Sequence, residues 1–209
     1  MLLPKPAYKR LQVDARRSQL LEAGAVLFTD RAYENITMAQ IAQAAGVSKP
    51  LLYHYFPSKI DLFKAAVAEQ ADQLRQLLEA PSGDTPAERL AHALDAYLEW
   101  IEQHELTWTK LIQTATTVPE AQRLVEEFRA RTLGEIARGL TGDARPKPAL
   151  RTALRGWLGY IDSAILDWTG HHDLTRAQLR ELLVAAFGGA VLAAQQVDSD
   201  PSVSVPAQS

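Results

Sequence analysis

The stretch from Thr37 to Lys59, TMAQIAQAAGVSKPLLYHYFPSK, constrains the fold more than any other part of the sequence. It has the pattern of two short helices joined by a tight turn. Thr37 and Ser48 can cap the two helices, because a hydroxyl can accept an otherwise unpaired backbone N–H of a first helical turn. Gly46 stands where the chain must leave the first helix, and glycine tolerates the positive φ angle that such an exit uses. We therefore predict a helix–turn–helix here.

The second of these helices has two chemically different faces. At 100° per residue, one side carries the apolar residues Leu51, Leu52, Tyr55 and Phe56, and the other carries Lys49, Pro50, Tyr53 and His54. The apolar side must be buried, whereas the other side offers a cation and two hydrogen-bonding rings. Proline is acceptable in a first helical turn, whose N–H groups have no helical partner. This pattern is typical of a recognition helix that enters the major groove of DNA with its N-terminus first.

The run GVSKPLLYHYFPSKIDLF (Gly46–Phe63) resembles the helix–turn–helix signature of the tetracycline-repressor (TetR) family, and so does the upstream ENITMAQIAQAAGVS. The resemblance covers roughly residues 15–63, and beyond Phe63 only the length and the helical pattern fit. It implies that Tyr53 and His54 touch phosphates or base edges and that Lys59 touches a phosphate. It further implies that Thr37, Ser48 and Lys49 position the reading unit, with Gln40 as an additional contact.

Three of the DNA-binding candidates have a second interpretation. Thr37 and Ser48 also serve as plain helix caps. Leu51 borders the groove, where it either contacts a thymine methyl group or packs. Pro50 and Leu51 have little hydrogen-bonding capacity, so direct readout of bases would depend on few residues.

The charge distribution agrees with contact to a polyanion at one end of the chain. Residues 1–60 hold 8 Lys/Arg against 4 Asp/Glu (net +4), and the remainder holds 14 against 21 (net −7). The absence of cysteine excludes disulfides and thiolate metal sites and is compatible with a reducing compartment. The first residues do not have the pattern of a secretory signal, and no apolar run approaches the ~18 residues of a membrane span. We expect a cytoplasmic protein with no cofactor and no membrane partner.

Helical periodicity extends through the whole sequence and predicts an all-α fold of about nine helices. An N-terminal three-helix head would form the DNA-binding domain over residues 1–60, with a flexible basic arm at 1–13. Residues 61–197 would form an effector-binding and dimerisation domain, and 198–209 a disordered tail. Thr85, Pro86 and Glu88 form a capping-box pattern at one helix start, and separate helices are predicted to end near His104 and to begin at Glu105.

Aromatic residues mark a candidate effector pocket in the C-terminal domain. One helix face carries Trp157, Tyr160, Ile161, Ala164 and Trp168, and neighbouring helices supply Tyr97, Trp100, Trp108, Ile112 and Phe128. The TetR resemblance implies a cavity for a small molecule, which here would be apolar or aromatic. For any single tryptophan, a place in the core is the favoured interpretation. Asp162 lies in this apolar helix, and a buried carboxylate there would need a partner such as Arg155 or Lys110.

The last predicted helix carries a candidate dimer interface. Its apolar stripe contains Leu179, Leu183, Ala186, Phe187, Ala190 and Val191, and Ala185, Gly188 and Gly189 are small enough for another helix to approach closely. Glycine within a helix costs about 1 kcal/mol relative to alanine, which indicates a packing reason for the pair. The alternative is that the stripe packs inside one subunit. A two-fold dimer would present two heads to a palindromic operator.

The hypothesis with most support is a homodimeric transcription regulator that binds double-stranded DNA, a repressor released by an unidentified small molecule. The alternative is an architectural or activator protein without an effector. An enzyme is disfavoured, because the sequence has no nucleophile elbow, no HExxH and no nucleotide-binding loop. His171, His172 and Asp173 lack a second ligand pair at helical spacing and therefore make a poor metal site.

Overall fold

The computed structural model describes residues 7–78 and 83–199, and all regular structure in these ranges is helical. The elements are α1 (Ala7–Asp30), a 3₁₀ turn (Tyr33–Asn35), α2 (Met38–Ala44), α3 (Lys49–Tyr55), α4 (Lys59–Leu78), α5 (Pro86–Thr117), α6 (Pro119–Thr141), α7 (Pro148–His171) and α8 (Arg176–Ser199). The predicted all-α class is confirmed. The described residues form one α-helix fewer than predicted, because the two helices expected around His104 form a single kinked α5, in which His104 itself is non-helical (φ −127°, ψ 26°).

Helices extend into both segments that were predicted to be flexible. Residues 7–13 belong to α1, so the predicted arm over 1–13 is wrong for that part. Both prolines of the arm precede Ala7, and the segment from Ala7 to Asp30 contains no proline. Likewise, α8 extends to Ser199, two residues into the predicted tail. Residues 1–6 of the arm and 200–209 of the tail lie outside the described residues.

The chain divides into two compact units. The first contains the described residues up to Arg75 together with Leu106–Leu124, and the second contains Gln76–Glu105 together with the described residues from Val125 onward. The kinked α5 therefore contributes its second segment to the first unit. The predicted functional boundary at residue 60 falls inside the first unit, because most of α4 packs with the head.

The core of the first unit fixes α1, α2, α3 and α4 around a set of fully buried side chains. The largest of these are Leu20, Ile36, Ile41, Leu52 and Leu62. Gly24 lets α1 lie close to α4, since a Cβ atom at this position would be 2.3 Å from a methyl carbon of Leu62. Ala121 of α6 and partly buried residues of the second α5 segment pack on the same cluster.

The second unit is organised around the buried face of α7. Leu154, Trp157, Ile161, Ile165 and Trp168 lie on this face and are buried. The indole N–H of Trp157 donates to the carbonyl oxygen of Leu183 in α8 at 2.9 Å, and its ring meets Phe187 edge-on at 4.8 Å. Trp168 donates to the carbonyl oxygen of Leu174 at 2.8 Å. These hydrogen bonds satisfy two polar groups that burial would otherwise leave unpaired.

Ion pairs connect the helices of the second unit. Arg176 of α8 bonds Glu102 at 2.9 Å and lies 3.5 Å from Asp95, both on α5. Asp162 of α7 bonds Arg129 of α6. Its partner is thus neither Arg155 nor Lys110, the two candidates expected from sequence. Burial raises the pKa of Asp162, and the Arg129 guanidinium acts in the opposite direction.

The C-terminus of α7 generates a stability prediction. His172 caps the helix in the left-handed conformation (φ 52°, ψ 31°), which costs a residue with a Cβ roughly 1 kcal/mol. The variant His172→Gly should therefore raise the free energy of unfolding by about 1 kcal/mol, measured by urea denaturation. The matched variant His171→Gly, one residue earlier and helical, should lower it by a similar amount. Equal losses in both variants would contradict this account of the cap.

Candidate nucleic-acid interface and effector residues

The turn between α2 and α3 is a complete Schellman motif. The N–H of Val47 donates to the carbonyl oxygen of Ala42 at 2.9 Å, and the N–H of Gly46 donates to that of Gln43 at 3.1 Å. Gly46 has a φ of 64°, as the sequence predicts. From α1, the side-chain amide of Gln19 donates to the carbonyl oxygen of Ala45 at 3.0 Å. The angle between the two short helices is therefore held by backbone geometry and by a contact from a third helix.

Both predicted helix caps are present. The Thr37 hydroxyl accepts the N–H of Gln40, while the Gln40 side chain accepts the N–H of Thr37 at 2.8 Å, which completes a capping box. The Ser48 hydroxyl accepts the N–H of Leu51 at 3.4 Å. The side-chain oxygen of Gln40 is thus engaged in the cap, and the predicted contact of Gln40 with DNA would have to use its NH₂ group.

The two predicted faces of α3 are separated by burial. Leu52 is fully buried and Phe56 is 3% exposed, whereas Tyr53 on the other side keeps 48% of its surface. Leu51 departs from the predicted division: it was expected on the buried side but is 36% exposed, because it lies at the edge of that side next to the solvent-facing residues. Lys49, Pro50 and His54 are also exposed. The structure thus brings a cation, a phenol and an imidazole together on one solvent-facing side of a helix whose other side is in the core. The DNA contacts of these residues remain predictions.

Lys59 has a structural role that the sequence does not indicate. Its ammonium donates to the carbonyl oxygens of Tyr33 at 2.7 Å and Ile36 at 2.9 Å, and lies 4.1 Å from the centre of the Tyr33 ring. Burial lowers the pKa of Lys59, and the charge of Glu34 opposes this effect. Lys59, the first residue of α4, is therefore hydrogen-bonded to the segment that connects α1 and α2. Two of its three N–H donors are occupied, which leaves one for the predicted phosphate.

A second group of contacts joins the head to the second segment of α5. Thr117 donates to a carboxylate oxygen of Glu34 at 2.9 Å, and the hydroxyls of Thr29 and Thr107 are 3.2 Å apart. The pKa of Glu34 is lowered by a backbone hydrogen bond and by this hydroxyl. The residues of each pair are 83 and 78 positions apart. Because helix periodicity describes only near neighbours, no signal in the sequence could have paired them.

The ten candidate effector residues are distributed over both compact units. Trp108 and Ile112 belong to the first, and the other eight belong to the second. Trp100, Trp157, Ile161 and Trp168 are buried, Tyr97 and Ala164 are half-buried, and Phe128 and Tyr160 are 37% and 42% exposed. The predicted face of α7 is therefore a core face at Trp157, Ile161 and Trp168. A pocket formed by these residues remains a prediction.

The predicted dimer stripe on α8 lies mostly inward. Leu179 and Leu183 are buried within the single chain, and Phe187 and Val191 pack against a buried cluster that includes Leu150 and Leu154 of α7. Ala186 and Ala190 are half-buried. Leu179 and Leu183 therefore offer no surface to a second chain, and for these two residues the structure favours the alternative of packing inside one subunit.

The opposite side of α8 is exposed and apolar. It carries Leu182 (48% exposed), Leu192 (56% exposed), Ala185, Gly188 and Gly189. By length and composition alone α8 could cross a membrane, and 17% of its most apolar window is buried within the chain. This is weak evidence for a membrane span, since a helix of a soluble protein can have the same length and composition. Among the described residues, no group of three or more His, Cys, Asp or Glu side chains is arranged to hold a metal ion.

Comparisons with known proteins agree with both parts of the chain. Residues 20–66 match the family described as bacterial regulatory proteins of the tetR family, and residues 86–189 match a tetracyclin repressor-like C-terminal domain. A tetR-family transcriptional regulator from Streptomyces coelicolor has a similar crystal structure, with a TM-score of 0.73 and 26% identity. The match covers 88% of this chain and 83% of that one.

Of two curated relatives, one is named as a transcriptional activator and the other as a transcriptional repressor. The transcriptional activator FasR of Mycolicibacterium smegmatis is 39% identical over 117 residues, which cover 54% of this chain and 52% of FasR. The transcriptional repressor KstR2 of Mycobacterium tuberculosis is 33% identical over 122 residues, which cover 56% of this chain and 57% of KstR2. The matched part of the chain thus corresponds to about half the length of each relative.

The position of Lys59 generates a test of its structural role. The variant Lys59→Met keeps a side chain of similar length but leaves the carbonyl groups of Tyr33 and Ile36 without their charged donor. The free energy of unfolding should fall by about 2 kcal/mol, measured by urea denaturation. The control Lys49→Met, at an exposed position, should change it by less than about 0.5 kcal/mol. If Lys59 served only to contact phosphate, the two variants would be equally stable.

Proposed function

Because the chain belongs to the tetracycline-repressor (TetR) family of DNA-binding transcription regulators, we propose that α3 reads an operator from the major groove. The observation that carries this proposal is the division of α3, in which Leu52 is fully buried while Lys49, Tyr53 and His54 face solvent. Burial fixes the helix, so the three polar side chains can meet DNA without reorganising the head. A helix N-terminus that leads into the groove also favours contact with phosphate.

The exposed residues divide into two kinds of contact. Lys49 supplies charge to a phosphate, and this contact contributes affinity that falls with salt but carries no sequence information. Tyr53 and His54 provide hydrogen bonds to phosphates or base edges, and Leu51 an apolar contact with a thymine methyl group. The N-termini of α2 and α3 are positioned against the phosphate backbone of the DNA by Thr37, Gln40, Ser48 and Pro50. The proposal assigns no catalytic step to the chain.

The test is the affinity of the full chain for genomic fragments, including the region upstream of its own gene, at two salt concentrations. Removing one hydrogen bond in Tyr53→Phe or in His54→Ala should weaken binding to a selected fragment by about fivefold to tenfold without lowering the melting temperature. Lys49→Met should reduce the slope of log affinity against log salt by about one. His92→Ala, on α5, should leave both quantities unchanged.

Two results would count against the assignment. One is equal, weak binding to every fragment, which would leave the fold but not sequence-specific reading. The other is an operator affinity that survives both the Tyr53 and the His54 substitution, which would move the reading contacts elsewhere on the head.

We further propose that the protein acts as a homodimer through the exposed side of α8 and the adjoining side of α7. On α8 this surface contains Leu182, Gly188, Gly189 and Leu192. A Cβ atom added at either glycine would meet no atom within 4 Å in the single chain, so the space beside the helix is open. On α7, Gly156 is exposed with equally open space, and Leu166 is 37% exposed. An exposed apolar helix face of this length is stabilised when a second helix covers it.

The dimer can be tested at Leu192, the most exposed leucine of α8. The variant Leu192→Glu would place a charge in the contact, which should raise the dimer dissociation constant by at least about 100-fold. Sedimentation equilibrium measures this constant. The control Leu140→Glu, at an exposed leucine near the end of α6, should leave it unchanged. A variant at Leu192 that remains a dimer would exclude this face.

The second unit is proposed to bind a small apolar or aromatic effector that releases the protein from its operator in the cytoplasm. An effector of this kind acts by binding better to a conformation in which the two heads no longer match the half-sites, and its differential affinity sets the size of the effect. Typical members of the family bind such effectors, and the buried aromatic residues Trp100, Trp157 and Trp168 support an apolar one. Repression is proposed as the direction of control.

A further inference from the structure

One buried polar group in the second unit has no hydrogen-bond partner among the described residues. It is the indole N–H of Trp100, a residue that is only 7% exposed. The indoles of Trp157 and Trp168 are buried to the same degree, yet each donates to a backbone carbonyl. A buried donor without an acceptor is unfavourable, and an indole nitrogen can only donate. An acceptor oxygen is therefore the group that would complete this position.

The ring of Trp100 has an aromatic neighbour. Its ring stacks on that of His104 one turn later, with centroids 4.5 Å apart and an interplanar angle of 16°. On the same helix, Leu98 and Ile101 are fully buried. Two acidic side chains of the same helix, Asp95 and Glu102, are paired with Arg176. An anionic ligand at this position would lose its hydration, and no unpaired cation among these residues would offset that loss. An uncharged acceptor has much less hydration free energy to lose.

His104 contributes a second polar feature. Its Nδ1 lies 2.8 Å from the carbonyl oxygen of Trp100, and since a carbonyl only accepts, Nδ1 must carry the proton. In the neutral ring this leaves Nε2 as an acceptor. His104 is also the one non-helical residue inside α5, and the boundary between the two compact units falls directly after Glu105. The Trp100–His104 stack therefore lies at the break of the helix that contributes to both units.

We propose that Trp100 is the polar anchor of the effector site and that its indole N–H donates to the carbonyl oxygen of an uncharged apolar ligand. The ligand class is a ketone, ester or amide whose remaining surface is aromatic or aliphatic. This inference rests on the proposed effector-binding function and adds the chemistry of the ligand. Binding at Trp100 acts on the stack with His104 and so on the conformation of α5 at its kink. A buried water on the indole N–H is the competing explanation.

The experiment uses the full-length protein with ¹⁵N-labelled tryptophan, which contains four indole N–H groups. The probes are three pairs of nearly equal shape in which C=O is replaced by C=CH₂. They are cyclohexanone and methylenecyclohexane, acetophenone and α-methylstyrene, and 2-acetonaphthone and 2-isopropenylnaphthalene. The indole signals are followed by NMR, and the affinity of each probe is measured by titration. The Trp100 signal is identified from its loss in Trp100→Phe.

At least one ketone should shift the Trp100 signal downfield and bind about fivefold to tenfold more tightly than its alkene partner, the ratio expected for one neutral hydrogen bond. In Trp100→Phe the two members of the pair should bind within about twofold of each other. Because phenylalanine leaves a smaller side chain, a second variant carries 3-benzothienylalanine at position 100, which keeps the bicyclic shape but has no N–H. The control His92→Ala, at an exposed position of the same helix, should retain the preference for the ketone.

Three results would overturn the proposal: a Trp100 signal that no ketone moves, equal affinity within every pair, or a ketone preference that survives both substitutions at position 100. The first is also the result expected if a water holds the indole N–H. Operator binding measured on the same samples distinguishes a failure of this proposal from a failure of the proposed regulatory function. Selective binding to DNA without any response at Trp100 would leave a regulator with a different anchor, whereas loss of selective DNA binding would remove the function itself.

Discussion

Burial of one side of α3 is the constraint on which the DNA-binding part of the molecule depends. With Leu52 fully buried and Phe56 at 3% exposure, the helix cannot rotate without exposing large apolar side chains. The fixed rotation of the helix in turn orients Lys49, Tyr53 and His54 toward solvent, and no separate contact to each of these side chains is needed. The Schellman turn at Gly46 and the hydrogen bond from Gln19 to Ala45 fix the angle between α2 and α3. The exposed face of α3 is thus fixed by the fold alone.

Hydrogen bonds from charged and hydroxyl side chains stabilise the first unit at positions where hydrophobic packing alone would leave conformational freedom. Lys59 closes the link between α1 and α2 by binding two carbonyl oxygens, and Thr117 and Thr107 of α5 reach Glu34 and Thr29 in the head. A change in the second segment of α5 therefore acts directly on the residues that precede the helix–turn–helix. The helix that carries Thr107 and Thr117 is interrupted at His104, which has non-helical backbone angles.

In the second unit, apolar residues at helical spacing lie partly in the core and partly on the surface. On both α7 and α8 the larger apolar residues face the core of the single chain, while glycines and scattered leucines remain on the outside. Of the stripe predicted as a dimer contact, Leu179 and Leu183 instead stabilise the subunit itself. Sequence periodicity finds an apolar face correctly, but it does not say whether the helix that covers the face comes from the same chain or from another one.

The sequence by itself determined the features that depend on neighbours a few positions apart. These are the all-helical class, the caps at Thr37, Ser48 and Thr85, the turn at Gly46 and the two faces of α3, because caps and helix faces are set within one or two turns. Only the tertiary structure decided the pairing of Lys59 with Tyr33 and Ile36, of Asp162 with Arg129, and the unsatisfied indole of Trp100. Each of these depends on groups that chain folding brings together, or fails to bring together, from distant positions, and no local pattern encodes such distances.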